Sequence, residues 1–345
     1  MAALSANICN QLLIMLPEFA IFCTLALALL LDKMLGEAKH LHYLIGFGWL
    51  ANKIEKKLNN SASRAAFVGK KAAKPATLNT KLLGTAAWCL LVLPLPAIYF
   101  FFLTDLTWYG QILLDASLLY LCIGLNSLQQ HAMQIYRPLK AKNIASARHF
   151  TGYIVSRETS VLSESEISRA TIESMLENGH DAVIASLLYY LIGGAPLVIL
   201  HRFANTLDAM WGYKNQRFQN FGYASARLDD VLGFISGKCC TLLYAIQGLR
   251  QGRWLQAIIN AYQQGNQYKS HNGGWVMAAG ATVMGRKLGG SARYHGKVMH
   301  SVMLGVGKDV TSDDIPHSLH LVSRASLLLL AGVFVVQLVI FSTIR

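Results

Sequence analysis

The stretch LLGTAAWCLLVLPLPAIYFFFLTDLTWYGQILLDASLLYLCIGLNSL, Leu82 to Leu128, decides the fold. It contains no Lys, Arg, Glu or His, and its acids are Asp105, in the middle, and Asp115. Each half holds about 20 mostly apolar residues, the length that crosses about 30 Å of hydrocarbon as a helix. The pattern predicts two spans joined by a short turn at Asp105. Gln11 to Leu31 and Ala325 to Ile344 have the same character. Nothing before Glu18 carries a positive side chain to form the n-region of a cleaved signal, so the first stretch is expected to remain as a span. Two weaker stretches follow the same chemistry less fully. Ala182 to Leu200 is interrupted by Gly193, Gly194 and Pro196, while Val231 to Gln247 is short and holds Lys238. Broken helices at membrane depth are tolerated where protein or a cavity surrounds them, so both weaker stretches are expected to be re-entrant or buried. The fold expected is all-α: a polytopic integral membrane helical protein with four to six apolar membrane segments and cytoplasm-facing motif loops.

Composition agrees. Of 345 residues, 53% are hydrophobic and only 14% charged, and mean hydropathy is +0.36. A typical soluble enzyme and a disordered chain are both excluded. The net charge of +13 does not point to nucleic acid, because no basic run is interleaved with aromatics as a base-stacking groove requires. It suits a membrane surface or an anionic substrate. The six cysteines show no CxxC spacing and read as small buried hydrophobes. Between Asp32 and Lys81 ten basic residues face three acidic ones, which places that loop in the cytoplasm. The chain then reads as one membrane domain, 1–345, in the cell inner membrane. It has a basic cytoplasmic loop at 32–81, a cytoplasm-facing catalytic motif region at 129–310 containing the two weaker stretches, and a C-terminal transmembrane helix at 325–344.

Half of the carboxylates, nine of 18, fall between Glu158 and Asp230. Such crowding in a charge-poor chain reads either as a solvated helical face or as a site for a polyanion with a divalent cation. Ser163 and Glu166 have capping-box spacing and should open a helix ending near Asn178 and Gly179. On that helix Glu173 and Glu177 stand at i and i+4, a like-charge pair that costs a few tenths of a kcal/mol. Arg169 or a bound Mg²⁺ could offset it. In NTLDAMWGYKNQRFQNFGYASARLDDV, Asn205 to Val231, the adjacent Asp229 and Asp230, with Asp208 upstream, offer hard oxygen ligands of the kind Mg²⁺ shares with substrate phosphates. No nucleotide loop of the GxxxxGK[ST] type appears. The glycine-rich run LGGSARYHGK, Leu288 to Lys297, is either a flexible loop or a backbone-amide cradle for phosphate. His180, beside Asp181, reads first as a satisfied polar contact.

Four stretches together resemble successive motifs of the adenosylcobinamide-phosphate synthase family, integral-membrane enzymes of cobalamin biosynthesis. They are LDKMLGEAKHLHYLIG (Leu31 to Gly46), SRETSVLSESEISRATIESMLENGHDAVIA (Ser156 to Ala185), the Asn205 to Val231 run, and SHNGGW with the LGG that follows (Ser270 to Trp275, Leu288 to Gly290). The resemblance is collinear over most of residues 20 to 300. It departs from the family pattern at Glu158, where Asp is usual, at Tyr43, Ser186 and His271, where proline is expected, and at Met277, where an acid is expected. The resemblance implies ATP-dependent amide formation between adenosylcobyric acid and (R)-1-aminopropan-2-ol or its O-phosphate, with ATP and Mg²⁺ as cofactors. It implies catalytic roles for Glu173, Glu177, Asp181 and Asp208, with Asp229, Asp230 and Asp208 at the metal. Substrate and ATP contacts would fall to Arg157, Arg169, Asn178, Asn205, Lys214, Arg217, Arg227, Asn272, Gly289 and Gly290. The corrinoid, the amine, membrane lipid and other membrane-associated cobamide-assembly enzymes are the implied partners, and nucleic acid is not. The competing class is a membrane regulator or transporter on the same scaffold. A transporter should place ionisable residues at mid-span near an internal repeat, and the sequence holds no repeat.

Overall fold

The computed structural model describes residues 16–37, 43–59, 77–103, 105–294 and 297–344. Among the described residues four stretches are long and apolar enough to cross a membrane: Leu78–Phe102, Trp108–Lys140, Glu164–Trp211 and Asp314–Thr343. The protein is a largely helical, polytopic membrane protein. The expected hairpin is present as α3 (Thr77–Val92) and α4 (Pro94–Phe102), then α5 (Trp108–Cys122). Pro94 sits at the first turn of α4, where a missing N–H costs no helical bond. Leu90, Phe100, Phe101, Phe102 and Leu113 are exposed, as lipid-facing side chains should be.

The first expected span appears as α1 (Ala20–Leu35); its residues Gln11 to Met15 lie outside the described part, as does much of the basic loop. The last helix is α13 (Asp314–Ile344). The two ends of the chain pack on each other. The Phe22 N–H donates to Gln337 Oε1 at 3.0 Å, Gln337 Nε2 donates to the Glu18 carbonyl at 2.9 Å, and the rings of Phe19 and Phe341 lie 5.9 Å apart.

Asp115 is buried inside α5. An isolated carboxylate in hydrocarbon would be costly, and three donors meet it: Tyr190 Oη at 2.8 Å, Gln111 Nε2 at 3.0 Å, and the Tyr99 hydroxyl. They join α4, α5 and the Ala182–Leu200 stretch that carries Tyr190.

The basic loop contributes α2 (Tyr43–Leu58), and the motif region runs from α6 (Leu125–Lys140) through α7 (Ile144–Thr151) to α8 (Glu164–Gly179). The capping box forms: Ser163 Oγ accepts from the Glu166 N–H, and Glu166 Oε2 accepts from the Ser163 N–H. A single π turn, His180–Ile184, joins α8 to α9 (Ala185–Trp211). Inside α9, Gly193 and Gly194 leave helical geometry, the latter at φ 63°, ψ −162°, a region that is essentially glycine's own. The chain turns back there. Tyr189 stacks on His201 with centroids 4.8 Å apart, although twelve residues of unbroken helix would separate them by about 18 Å. The Ala182–Leu200 stretch therefore doubles back at Gly193 and Gly194 as two arms.

Beyond the reversal, Trp211 and Phe221 bury themselves with Phe47, Trp88 and Phe203 in a second, smaller core. Helix α10 (Tyr223–Ile246) carries the other weak apolar stretch and α12 (His271–Met284) is almost wholly buried, with α11 (Trp254–Gly265) between them in sequence. The glycine-rich run adds what an all-helical expectation lacks, a small sheet of order β2-β1-β3: β1 (Arg286–Tyr294), β2 (Lys297–Gly305) antiparallel to it, and β3 (Lys308–Asp309) parallel. Glycines and charges hide a strand signal in sequence. The register shifts between Gly289 and Gly290, both at positive φ. Such a bulge re-aims backbone groups, and at Gly289 a Cβ would stand 2.2 Å from the Val302 carbonyl.

Candidate active site

Three acids rise along α8 and into the π turn: Glu173, Glu177 and Asp181. Spacing of four puts them on one helical face about 6 Å apart. At the lower end, Glu173 is clamped. Its Oε2 lies 2.6 Å from Arg157 Nη2 and its Oε1 accepts the Gly289 N–H at 2.8 Å. One carboxylate thus ties the motif before α8 to the bulge of the hairpin. Arg169 holds the same strand by donating to the Ser291 carbonyl at 2.9 Å. Around this clamp lies a cavity of about 250 Å³, lined by Arg157, Lys269, Gly289, Gly290, His300 and Ser301 among others. Cations, a hydroxyl and bulged backbone suit an anionic ligand.

At the upper end Asp181 is set by its neighbour. His180 Nδ1 lies 2.7 Å from Asp181 Oδ1, and His180 Nε2 lies 2.8 Å from Ser236 Oγ. Ser236 is fully buried, so the trio orients Asp181 and offers no accessible nucleophile. The second arm of α9 and the first turns of α10 bring further acids to this end. Asp229 is held well above the usual carboxylate range, by burial first and then by the charges of Asp181 and Asp208, with a smaller contribution from Asp230; Asn205 opposes the shift. Asn205 Nδ2 reaches Asp229 Oδ1 at 3.4 Å, and Asn272 Nδ2 donates to the Asp230 carbonyl at 2.9 Å. A second cavity of about 240 Å³ adjoins, lined by Asp32, Asn178, Arg202, Asn205 and Thr206 among others.

Among the described residues no three His, Cys, Asp or Glu side chains form a ready metal cage. The expected Asp208, Asp229 and Asp230 triad is therefore a group of mutually repelling carboxylates and not a closed coordination site. That donor set fits Mg²⁺ well enough, since Mg²⁺ usually takes one or two carboxylates and completes its shell with water and substrate phosphate.

The structure thus gathers Arg157, Arg169, Glu173, Gly289 and Gly290 at the lower end, Asp181, Asn205, Asp208, Asp229 and Asp230 at the upper, and Glu177 between them, with Lys269 the cation acting on it. Asn178 lines the upper cavity while its amide nitrogen donates to the Ser174 carbonyl at 2.8 Å. Three expected phosphate contacts stand apart from both cavities. Arg217 is engaged by the buried Glu55, with Nε at 3.0 Å and Nη2 at 2.7 Å from its two oxygens; it pins the 212–222 loop to α2. Arg227 is exposed over the Tyr223 ring, and Lys214 is exposed on the same loop. Met277, where an acid was expected, is buried in the core and lines neither cavity. Sequence reasoning did not find Lys269, His201 or Ser236. Lys269 lay far outside the carboxylate-rich window, immediately before the motif that opens at Ser270, and Ser236 had no motif around it.

The chain matches the CobD/CbiB protein family over residues 25–322. It is 40% identical over 305 residues to the cobalamin biosynthesis protein CobD of Stutzerimonas stutzeri, covering 88% of this chain and 93% of that protein. Identity to the protein of the same name from Chromobacterium violaceum is 41% over 304 residues, 87% of this chain and 91% of the relative. The cobalamin biosynthesis protein CbiB of Salmonella typhimurium is 33% identical over 226 residues, 65% of this chain and 70% of the relative. No solved structure matches. With the motifs of residues 31–290 in family order and the match running nearly end to end, this chain is a member of the CobD/CbiB family of cobalamin biosynthesis proteins.

Proposed function

We propose that the protein joins a carboxylate of adenosylcobyric acid to (R)-1-aminopropan-2-ol or its O-phosphate, at the expense of ATP, at a site facing the cytoplasm from the inner membrane. One observation carries the reading: the row Glu173, Glu177, Asp181 runs from a cation-lined cavity at the glycine hairpin to a carboxylate cluster, so opposite charges are separated along one helical face. A carboxylate must be activated before an amine can displace its oxygen, and activation of this kind is promoted by positioning and by cations at phosphoryl oxygens. The Mg²⁺–ATP pair would supply that activation. Lys269, Arg157 and the Gly289 and Gly290 backbone bind anionic groups in the lower cavity. Asp208, Asp229 and Asp230 are the residues to hold Mg²⁺. Glu177 and Asp181 stand where a general base for the attacking amine is needed, with His180 fixing the direction of Asp181. The test is direct: purified protein in lipid nanodiscs, supplied with ATP, Mg²⁺, adenosylcobyric acid and, in separate reactions, aminopropanol or its phosphate, should form the amide by mass spectrometry with at least one of the two. Absence of product with both amines, from protein that is folded, rejects the reading.

A further inference from the structure

Helix α11 carries no charged residue, and Ala257, Asn260, Ala261 and Gly265 form its buried face. Beside that face Trp254, Leu255, Ile259 and Tyr262 are exposed, and helical periodicity gathers them in one arc. Twelve residues rise about 18 Å, too little to cross about 30 Å of hydrocarbon. An uncharged helix with an open apolar arc and an aromatic near each end suits the interfacial layer, where Trp and Tyr concentrate. A groove of about 500 Å³ adjoins its start, between the end of α10 and α13, lined by Ile246, Leu249, Arg250, Arg324, Leu327 and Leu328 among others. Gln247 Nε2 donates to the Leu321 carbonyl at 3.0 Å and holds the two helices together there. Arg250 stands four residues before α11, and Arg324 immediately precedes the apolar stretch that opens at Ala325. Both side chains are exposed, and among the described residues neither has an ion-pair partner. Leu249, Leu327 and Leu328 beside them are exposed as well. Two accessible cations thus share the mouth of a groove whose walls are apolar, at the level where the last span begins.

We infer that α11 lies in the headgroup layer at the start of the last span, and that the adjoining groove binds one anionic phospholipid, its phosphate against Arg250 and Arg324 and an acyl chain along Leu327 and Leu328. Like charges in one groove repel until an anion lies between them, and cations placed at the end of a span draw anionic lipid in this way. A second copy of the chain suits this face poorly: a two-fold contact would bring the same two cations with it, and α11 has no acid to meet them. The site shares no residue with the acid row or its two cavities, so the inference does not depend on the reaction proposed above.

Full-length protein in nanodiscs of equal phosphatidylglycerol and phosphatidylcholine supplies both tests. For the helix, a spin label on Leu255→Cys in a cysteine-free background should be relaxed more by oxygen than by a water-soluble nickel complex, and a label on Gln256→Cys should show the reverse. For the groove, protein re-extracted into detergent should retain one phosphatidylglycerol by native mass spectrometry. The double variant Arg250→Gln, Arg324→Gln should retain at least about fivefold less and melt like wild type, since neither guanidinium has a protein partner. Added inorganic phosphate should leave the lipid in place, since phosphate lacks the chain. A Leu255 label as open to nickel as the Gln256 label places α11 in water and overturns the inference; a Leu255 label shielded from both reagents means that protein covers the arc, and overturns it too. Equal retention of the two lipids, unchanged phosphatidylglycerol in the double variant, or displacement by free phosphate does the same for the groove.

Discussion

Arg217 and Glu55 form a bidentate pair across 162 residues of sequence, with the carboxylate buried and the guanidinium half-exposed. Asn59 Nδ2 completes the cluster at 2.8 Å from Glu55 Oε1 and 3.0 Å from the Arg217 carbonyl. Removing the arginine leaves a carboxylate in a dry place. Arg217→Ala should therefore destabilise the protein by about 1–3 kcal/mol, the exposed side of the pair reducing the full buried-pair figure. Glu55→Gln, which removes the buried charge, should cost less. Melting in detergent gives the ranking. A fall in apparent ATP affinity in a fully folded Arg217→Ala protein would return this arginine to the substrate.

The clamp on Glu173 makes a graded prediction. Glu173→Gln keeps an acceptor for the Gly289 N–H and loses the charge facing Arg157, whereas Glu173→Ala loses both and leaves a buried guanidinium without its carboxylate. The alanine variant should lose about 3–5 kcal/mol of stability and the glutamine variant clearly less. Thermal melts of the two proteins, with hydrogen exchange across residues 286–305, should show the hairpin loosening first in the alanine variant.

Asp229 predicts a pH dependence. Its folded carboxyl is held above its unfolded range by burial and by Asp181 and Asp208, so the folded state holds the proton more tightly than the unfolded one. The contribution is favourable in acid and is lost as pH rises through the folded pKa. Metal-free protein should thus lose stability toward neutral pH from this group, and Asp229→Asn should flatten that part of the curve. Mg²⁺ should restore wild type at neutral pH and leave the Asn variant unmoved. Identical curves for the two proteins, with and without Mg²⁺, would remove Asp229 from the metal site.

The reversal at Gly194 is testable by a small change. Gly194→Ala forces a Cβ into backbone geometry that costs of order 1–3 kcal/mol, and the melting temperature should fall accordingly. Cysteines in place of Tyr189 and His201 should be joined by a short thiol cross-linker in an otherwise cysteine-free protein. Failure to link, in protein that still folds, would mean an unbroken helix.

Local signals were read well because they act over one helical turn. Ser163 and Glu166 announced a helix start that forms as expected, and Gly193, Gly194 and Pro196 marked the break in α9. The carboxylates stood out because the chain has so few charges. What failed was long-range. Nothing near Arg217 indicates that Glu55 waits on another helix, and nothing near Ser236 points to His180. The hairpin from Arg286 was misread as loop because its glycines, which allow the bulge, also erase the alternation that marks a strand.

The pairing of the first and last helices has a consequence for biogenesis. Phe19 and Phe22 find Phe334, Gln337 and Phe341 only after the more than 300 residues between them have been synthesised, Phe22 and Gln337 standing 315 apart. Until then one side of α1 faces lipid, and the backbone amide of Phe22 lacks the glutamine that later satisfies it. The nascent protein stays open along that seam until residues 334–341 have emerged.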